Sequence, residues 1–234
     1  MFDRVAYKKA AKAQLKGRWK IPVLTSLLIF ALISILGFAL VAFFGDDITV
    51  NLRAGAGNFN AGVHGGPRAT TASVFIALII AAFLLAQKRL FHIMKADPRP
   101  VSFGDYLEGL GQWWQAARGY LWRTLWVFLW SLLLWIPGII KWYSYSMMVY
   151  IMAENPEIKV TKAMNISKEL TRGYKGDLFV TDLSFIPLYL LCCLTMGIGF
   201  LWLMPYYQAT YTNIYHALKE TAFASKRVAP EDFA

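Results

Sequence analysis

The sequence predicts an all-α fold: a polytopic membrane helical bundle of about six transmembrane helices, arranged in three hairpins, each preceded by a cytoplasmic amphipathic helix. Three observations carry that expectation. The chain of 234 residues is 57% hydrophobic and only 16% charged, well below the ~25% of charge in soluble domains. Several apolar runs approach or exceed the ~18 residues that suggest a membrane span. The polar segments between those runs are alternately rich and poor in Lys and Arg.

The elements follow in order. Residues 1–20 carry Arg4, Lys8, Lys9, Lys12, Lys16, Arg18 and Lys20 against the single acid Asp3. Val5, Leu15 and Trp19 share a helical stripe, so the segment reads as a basic amphipathic helix on an anionic membrane face. Ile21–Phe44 is longer than the 7–15 apolar residues of a secretory signal and reads as a retained first span. Residues 45–71 are polar and rich in Gly and Asn, and read as a flexible extracytoplasmic loop. His64 there reads as a solvated loop histidine. Residues 72–91 form the second span, with Lys88 and Arg89 snorkelling to the interface. Ser102 is positioned to cap an inner-surface helix over 102–118. Spans follow at about 120–136 and 139–153, with Pro137-Gly138 as the turn between them. Residues 159–175 form a further amphipathic segment whose Val160, Ala163, Met164, Ile166 and Leu170 share one face. Spans at 178–195 and 200–218 flank a turn at Gly197-Ile-Gly199. The domain reading is one transmembrane unit, 1–218, and a cytoplasmic tail, 219–234, poorly ordered at its end.

Charge sets the orientation. The net charge of +10 would raise nucleic acid as a partner in a soluble protein. In this chain the cations collect in segments 1–20, 87–118 and 154–177, which the positive-inside rule places in the cytoplasm with both termini. The expectation is therefore a membrane protein with anionic lipids as partners and no nucleic acid. Outward aromatic and Leu residues are compatible with a homo-oligomer. The adjacent Cys192 and Cys193 read as small buried apolar residues, with no metal-ligand spacing.

The three surface segments lead into their hairpins in similar ways. Leu15-Lys-Gly-Arg-Trp-Lys20 and Leu170-Thr-Arg-Gly-Tyr-Lys175 share an order of Leu, basic and Gly residues, an aromatic, then Lys. Leu110-Gly-Gln-Trp-Trp114 matches more loosely. Three tandem units explain this, as do shared membrane constraints.

Leu134-Trp-Ile-Pro-Gly-Ile-Ile140, Tyr143-Ser-Tyr-Ser-Met147, Ala153-Glu-Asn-Pro156, Ser167-Lys-Glu-Leu170, Asp182-Leu-Ser-Phe185 and Gly197–Tyr206 resemble the bacterial integral-membrane family catalogued as domain of unknown function 975. The resemblance runs from about Ala10 to Leu218. It implies a multi-pass protein of the bacterial cell (inner) membrane without an assigned reaction. It also implies a distant likeness to the membrane domain of some glycerophosphodiester phosphodiesterases, whose catalytic domain has no counterpart in this sequence.

The sequence contains no Walker loop, dinucleotide fingerprint, HExxH or GxSxG. His64, His92 and His216 share no motif. No catalytic set, metal site or cofactor is expected, and the chain reads as a non-enzyme. Ionisable residues inside spans are functional candidates by default: Asp182 and Lys141, each within reach of an interface, with Arg123 more interfacial. Tyr143, Tyr145, Tyr206, Gln208 and Asn213 add polar groups in the fourth and sixth spans. Buried hydroxyls and amides need partners in lipid. These helices therefore either hydrogen-bond to one another or line a groove for a headgroup, peptide or solute. A membrane scaffold or lipid-interacting protein is the first functional reading, and a transporter, channel or lipid-moving protein the second. Pro187 and Pro205 mark positions where a span frees a backbone carbonyl.

Overall fold

The computed structural model describes residues 2–45, 48–55, 58–97, 99–133 and 135–233, with side chains described outside 46–65 and 132–137. The architecture is helical, with one antiparallel hairpin. Among the described residues, three helical stretches are long and apolar enough to cross a membrane: Lys20–Phe44, Pro67–Ala96 and Lys175–Leu194.

Helix α1 (Arg4–Leu15) starts on Asp3, whose carboxylate accepts from the amides of Val5 and Ala6 at 2.9 and 3.0 Å. Those amides have no intrahelical partner, so the cap satisfies two of the exposed donors. Ala11 and Leu15 are buried and α1 lies against α11 (Phe200–Ala224), while Val5 of the expected stripe is exposed. Gly17, at φ +78°, turns the chain into α2 (Lys20–Phe44). Arg18 then reaches the end of α3 (Pro67–Ala96) and donates to the carbonyls of Met94, Asp97 and Arg99, each at 3.1 Å. A cation on orphan C-terminal carbonyls also complements the helix dipole.

Residues 48–65, expected as a flexible loop, pair as β1 (Ile48–Gly55) and β2 (Asn58–Gly65), in register from Ile48 with Gly65 to Gly55 with Asn58. Asp46, Asp47, Ala56 and Gly57 of that loop, and the His64 side chain, lie outside the described residues. Helix α3 then begins on Pro67, which suits a first turn because its missing N–H is one of the orphans anyway.

The surface helix expected over 102–118 divides. Helix α4 (Phe103–Leu110) has a full capping box: Ser102 Oγ accepts from the Asp105 amide at 3.2 Å, and Asp105 accepts from the Ser102 amide at 2.8 Å. The Ser102 amide, with help from the Arg99 guanidinium, holds the Asp105 carboxyl below its usual range. Trp113 onward belongs instead to α5 (Trp113–Leu133). Gly109 lets α4 lie directly on α3, since a Cβ there would stand 2.9 Å from both Cα and Cβ of Ala86. Gly109→Ala is expected to force the two helices apart at a cost of about 1–3 kcal/mol. Gly104→Ala, whose Cβ would meet only Ser102 Oγ at 3.4 Å, is the control. Thermal melting in mild detergent separates them, and equal midpoints would show that α3 and α4 are not packed this tightly.

Pro137-Gly138 is not the turn. Both lie in α6 (Trp135–Ser144), and the preceding helix ends at Leu133. Leu134, between them, lies outside the described residues. Pro137 is the third residue of α6, where no intrahelical donor is lost. Gly138 serves close packing, because a Cβ there would lie 3.0 Å from Cα of Ser131.

The expected fourth span is interrupted over Tyr145–Met147 and resumes as α7 (Met148–Glu154). Helix α8 (Val160–Leu170) follows, burying Ala163, Met164, Ile166 and Leu170 of the face read from the sequence. The fifth span is likewise divided, into α9 (Lys175–Leu183) and α10 (Ile186–Leu194), with Pro187 in the first turn of α10. Of the two cysteines, Cys192 is buried and Cys193 is exposed, contrary to the paired burial expected. Gly197, at φ +90°, sits in the turn to α11, and that helix carries Pro205 inside it.

The tail carries more helix than its polarity suggests. Helix α11 continues to Ala224, and a 3-10 turn at Pro230–Phe233 buries Phe233 edge-on to Phe223, with ring centroids 5.6 Å apart.

Burial is concentrated at one end. The last half of α3, the first turns of α2, most of α7, one face of α8 and Gln208–Tyr215 of α11 form the core. At the other end large apolar side chains stay exposed, among them Phe38, Phe43, Phe75, Phe128, Leu194 and Trp202.

Candidate functional site

The two helix breaks are where polar chemistry collects. A break frees backbone carbonyls that must find other donors in an apolar setting. At the first, the Ser144 carbonyl accepts from Ser167 Oγ at 2.8 Å. At the second, Lys8 Nζ donates to the Ser184 carbonyl at 3.1 Å and to its Oγ at 2.7 Å, while lying 4.0 Å over the Phe185 ring.

Asp182 is in the last turn of α9, just before the second break. Its Oδ2 accepts from Tyr143 OH at 2.9 Å, and its Oδ1 accepts from Tyr207 OH at 3.0 Å and from Tyr211 OH. Tyr143 comes from α6, just before the first break. Tyr207 and Tyr211 are one turn apart on α11 and so share a face. One carboxylate thus ties three helices together.

A second cluster lies on Gln208. Its Oε1 accepts from Lys88 Nζ at 3.2 Å and from Tyr150 OH at 3.3 Å, and the Lys88 ammonium stands 3.9 Å above the Tyr150 ring. Lys88 therefore points inward and does not snorkel outward. Arg123, read from the sequence as interfacial, lies with its guanidinium 4.5 Å over Trp142. Its Nε is buried with no hydrogen-bond partner among the described residues.

A third cluster surrounds Glu154 at the end of α7. Tyr215 OH and Lys219 Nζ both donate to its carboxylate, and His92 Nε2 is 3.5 Å from Oε1. His92 Nδ1 and His216 Nε2 are 2.9 Å apart, with the rings stacked at 4.7 Å.

Of the sequence candidates, the fold brings Tyr143 and Asp182 together and separates the rest. Gln208 belongs to the lysine cluster. Asn213 donates to Gln14 Oε1 at 2.9 Å, holding α1 on α11. Tyr206 packs on Phe185 at 5.6 Å. Lys141 lies 4.3 Å over Trp130. Tyr145 is buried in the core, with Lys168 at 5.7 Å from its ring. Sequence reasoning missed Lys88, Tyr150, Glu154 and the histidine pair as partners. The one signal for Lys88 was its being a charge inside an apolar run.

The outer surface carries apolar grooves. One, of about 440 Å³, runs between α10 and α11 past Leu188, Leu191, Cys192 and Leu203, and ends at Lys12 and Trp19. Another, of about 460 Å³, lies between α3 and α5 and is bordered by Trp113, Trp114 and Arg118. A third, of about 510 Å³, is bordered by Arg118 and Lys159. Among the described residues, no group of three or more His, Cys, Asp or Glu is placed to hold a metal ion.

The family described as "Protein of unknown function (DUF975)" matches residues 73–222, well over half of the sequence. The chain belongs to this family. The DUF975 match begins inside α3 and ends inside α11, so it takes in the Asp182, Gln208 and Glu154 clusters. It leaves out α1, α2 and the hairpin, although the resemblance in the sequence began near Ala10. The likeness to the phosphodiesterase membrane domain is not carried by this match. No curated protein and no solved structure matches the chain.

Proposed function

We propose that this DUF975 protein is a six-span protein of the bacterial inner membrane that binds anionic lipid around its circumference and acts as a non-enzymatic scaffold. The six spans are α2, α3, α5, α6 with α7, α9 with α10, and α11. They form three hairpins, led by α1, α4 and α8 on the cytoplasmic side together with both termini. The observation that carries this reading is the make-up of the outer grooves. The three described above have apolar walls suited to acyl chains and a Lys or Arg at the border, Lys12, Arg118 or Lys159, whereas two further grooves, past Ser131 and Trp142 and past Ser73 and Phe128, have none. All three cations belong to the segments that positive-inside assigns to the cytoplasm. A cation near an anionic membrane surface contributes about 1 kcal/mol of attraction. Trp19, Trp113 and Trp114 at the same borders suit the interface. The exposed apolar surface also accommodates a second copy of the chain.

A second reading, a transport or lipid-moving protein, is favoured by one specific observation: two interrupted helices meet at Asp182. Discontinuous helices often frame transport sites.

The test is thermal melting of delipidated protein in mild detergent with added phosphatidylglycerol or phosphatidylcholine. Phosphatidylglycerol is expected to raise the midpoint several degrees more than phosphatidylcholine. The triple variant Lys12→Gln, Arg118→Gln, Lys159→Gln is expected to lose most of that difference. Equal stabilisation by both lipids in the unaltered protein would overturn the anionic-lipid reading. Solute or lipid flux in protein-containing vesicles would favour the second.

A further inference from the structure

Two of the outer grooves meet on one helix. The groove of about 510 Å³ lies between α5 and α8, and the groove of about 460 Å³ lies between α3 and α5. Arg118 and Leu121 line both, so they form the ridge of α5 that divides them. Arg118, Trp122 and Leu125 continue along the α8 side, and Trp114, Ala117 and Leu121 along the α3 side. Spacings of three, four and seven residues put each set on one helix face.

The α8 border of the first groove is cationic and uncapped. It consists of Lys159, Val160 and Thr161, the N-cap and first two residues of that helix. No side chain caps α8, and its first turn carries no acid. A helix start favours negative charge, so a lysine at the N-cap has the wrong sign for it. Arg118 lines the same cavity, with its guanidinium 5.9 Å from the Trp114 ring. Among the described residues neither Arg118 nor Lys159 forms an ion pair, even with Glu157, two residues before Lys159. Both side chains are exposed. Two cations and a helix start thus border one cavity, while its remaining walls are apolar. Arg118 is five residues from the start of α5, about 7.5 Å by helix rise, and Trp122 and Leu125 lie deeper. On the six-span reading the cations stand at the cytoplasmic interface and the apolar walls inside the bilayer.

We infer that the two grooves beside α5 are one site for a single two-chain anionic phospholipid. Its phosphate lies at Arg118, Lys159 and the start of α8, and one acyl chain runs along each side of α5. The guanidinium and the ammonium supply charge-assisted donors to the phosphate oxygens, and the first amides of α8 supply more. The inference rests on the lipid-binding reading and deepens it, from anionic lipid around the circumference to one bound molecule with two chains.

The experiment is native mass spectrometry of delipidated protein titrated with dioleoyl phosphatidylglycerol, its one-chain lyso form, dioleoyl phosphatidylcholine and glycerol phosphate. The unaltered protein is expected to hold one phosphatidylglycerol far more tightly than any further ones. Arg118→Gln with Lys159→Gln is expected to weaken that first adduct about tenfold or more. Both residues are exposed, so the lipid-free melting midpoint of this variant is expected to stay within about 2 °C of the unaltered protein. Loss of one chain is also expected to weaken binding about tenfold or more, because one groove then stays unfilled. Leu125→Trp, which fills the α8 side, is expected to bring phosphatidylglycerol down to the level of the lyso form and to leave the lyso form itself unchanged. Several equal phosphatidylglycerol adducts, or a tight adduct indifferent to the double variant or to the second chain, would overturn the inference. The groove reading would stand in that case as long as phosphatidylglycerol still bound more tightly than phosphatidylcholine. Equal binding of those two lipids would overturn both, and glycerol phosphate bound as tightly as the lipid would replace the lipid by a free anion.

Discussion

Asp182→Ala is expected to lower stability by about 2–4 kcal/mol. The carboxylate is the shared acceptor for Tyr143, Tyr207 and Tyr211. Removing it leaves three inward hydroxyls without that acceptor, and each unsatisfied buried polar group costs about 1–3 kcal/mol. Asp182 and two of the tyrosines are only half-buried, which keeps the sum at the lower end. For a chain of this length the change corresponds to a fall of roughly 5–15 °C in the unfolding midpoint. Thermal unfolding in mild detergent, followed by tryptophan fluorescence, measures it. Asp182→Asn keeps one oxygen but turns a donor towards the hydroxyls, so it is expected to fall between the two. A shift below about 0.5 kcal/mol for the alanine variant would mean that the carboxylate does not tie these helices together. If Asp182→Asn folds normally yet abolishes a measurable flux, the transport reading gains over the scaffold.

What the sequence disclosed about the fold is what depends on neighbours along the chain. Hydropathy is local, so the long apolar runs at α2 and α3 were visible, as were the Ser102 cap, the turn at Gly197 and the buried face of α8. Proline was ambiguous for a physical reason. It removes one donor, which matters in a helix interior and hardly at all in a first turn. Pro137 therefore suggested a turn where the helix continues, whereas Pro187 opens a helix after a genuine break. The hairpin had a signal that the glycines masked: Ile48, Val50, Leu52 and Ala54 alternate with polar residues or threonine, the period of a strand. Side-chain direction was not legible. Whether Lys88 snorkels or turns inward depends on Gln208, 120 residues away, and the histidine pair depends on residues 124 apart. The candidate site divides along the same line. Residue types in the polar helices were readable, but their partners were set by packing between helices.

Glu154→Ala is expected to have the other large effect, about 3–5 kcal/mol, because it strands charge inside the bundle. Glu154, Lys219 and His92 are only 20%, 17% and 18% exposed at their side chains. Tyr215, at 0% exposure, would lose the acceptor for its hydroxyl. Truncating one partner of a buried ion pair costs more than the pair contributes, since the remaining charge stays desolvated. Two further variants separate that cause from simple loss of packing. Glu154→Gln keeps an acceptor for Tyr215 and is expected to cost about half as much. Glu154→Ala combined with Lys219→Met removes the stranded ammonium, and is expected to recover at least 1 kcal/mol relative to Glu154→Ala alone. Chemical or thermal unfolding of the three proteins in one detergent provides the comparison. If the double variant is less stable than the single one, the Lys219 ammonium itself stabilises the fold on an aromatic face, since methionine keeps an apolar stem. It lies 4.3 Å from the Phe233 ring, so the cluster would then be chiefly an anchor for the C-terminal segment and only secondarily an ion pair.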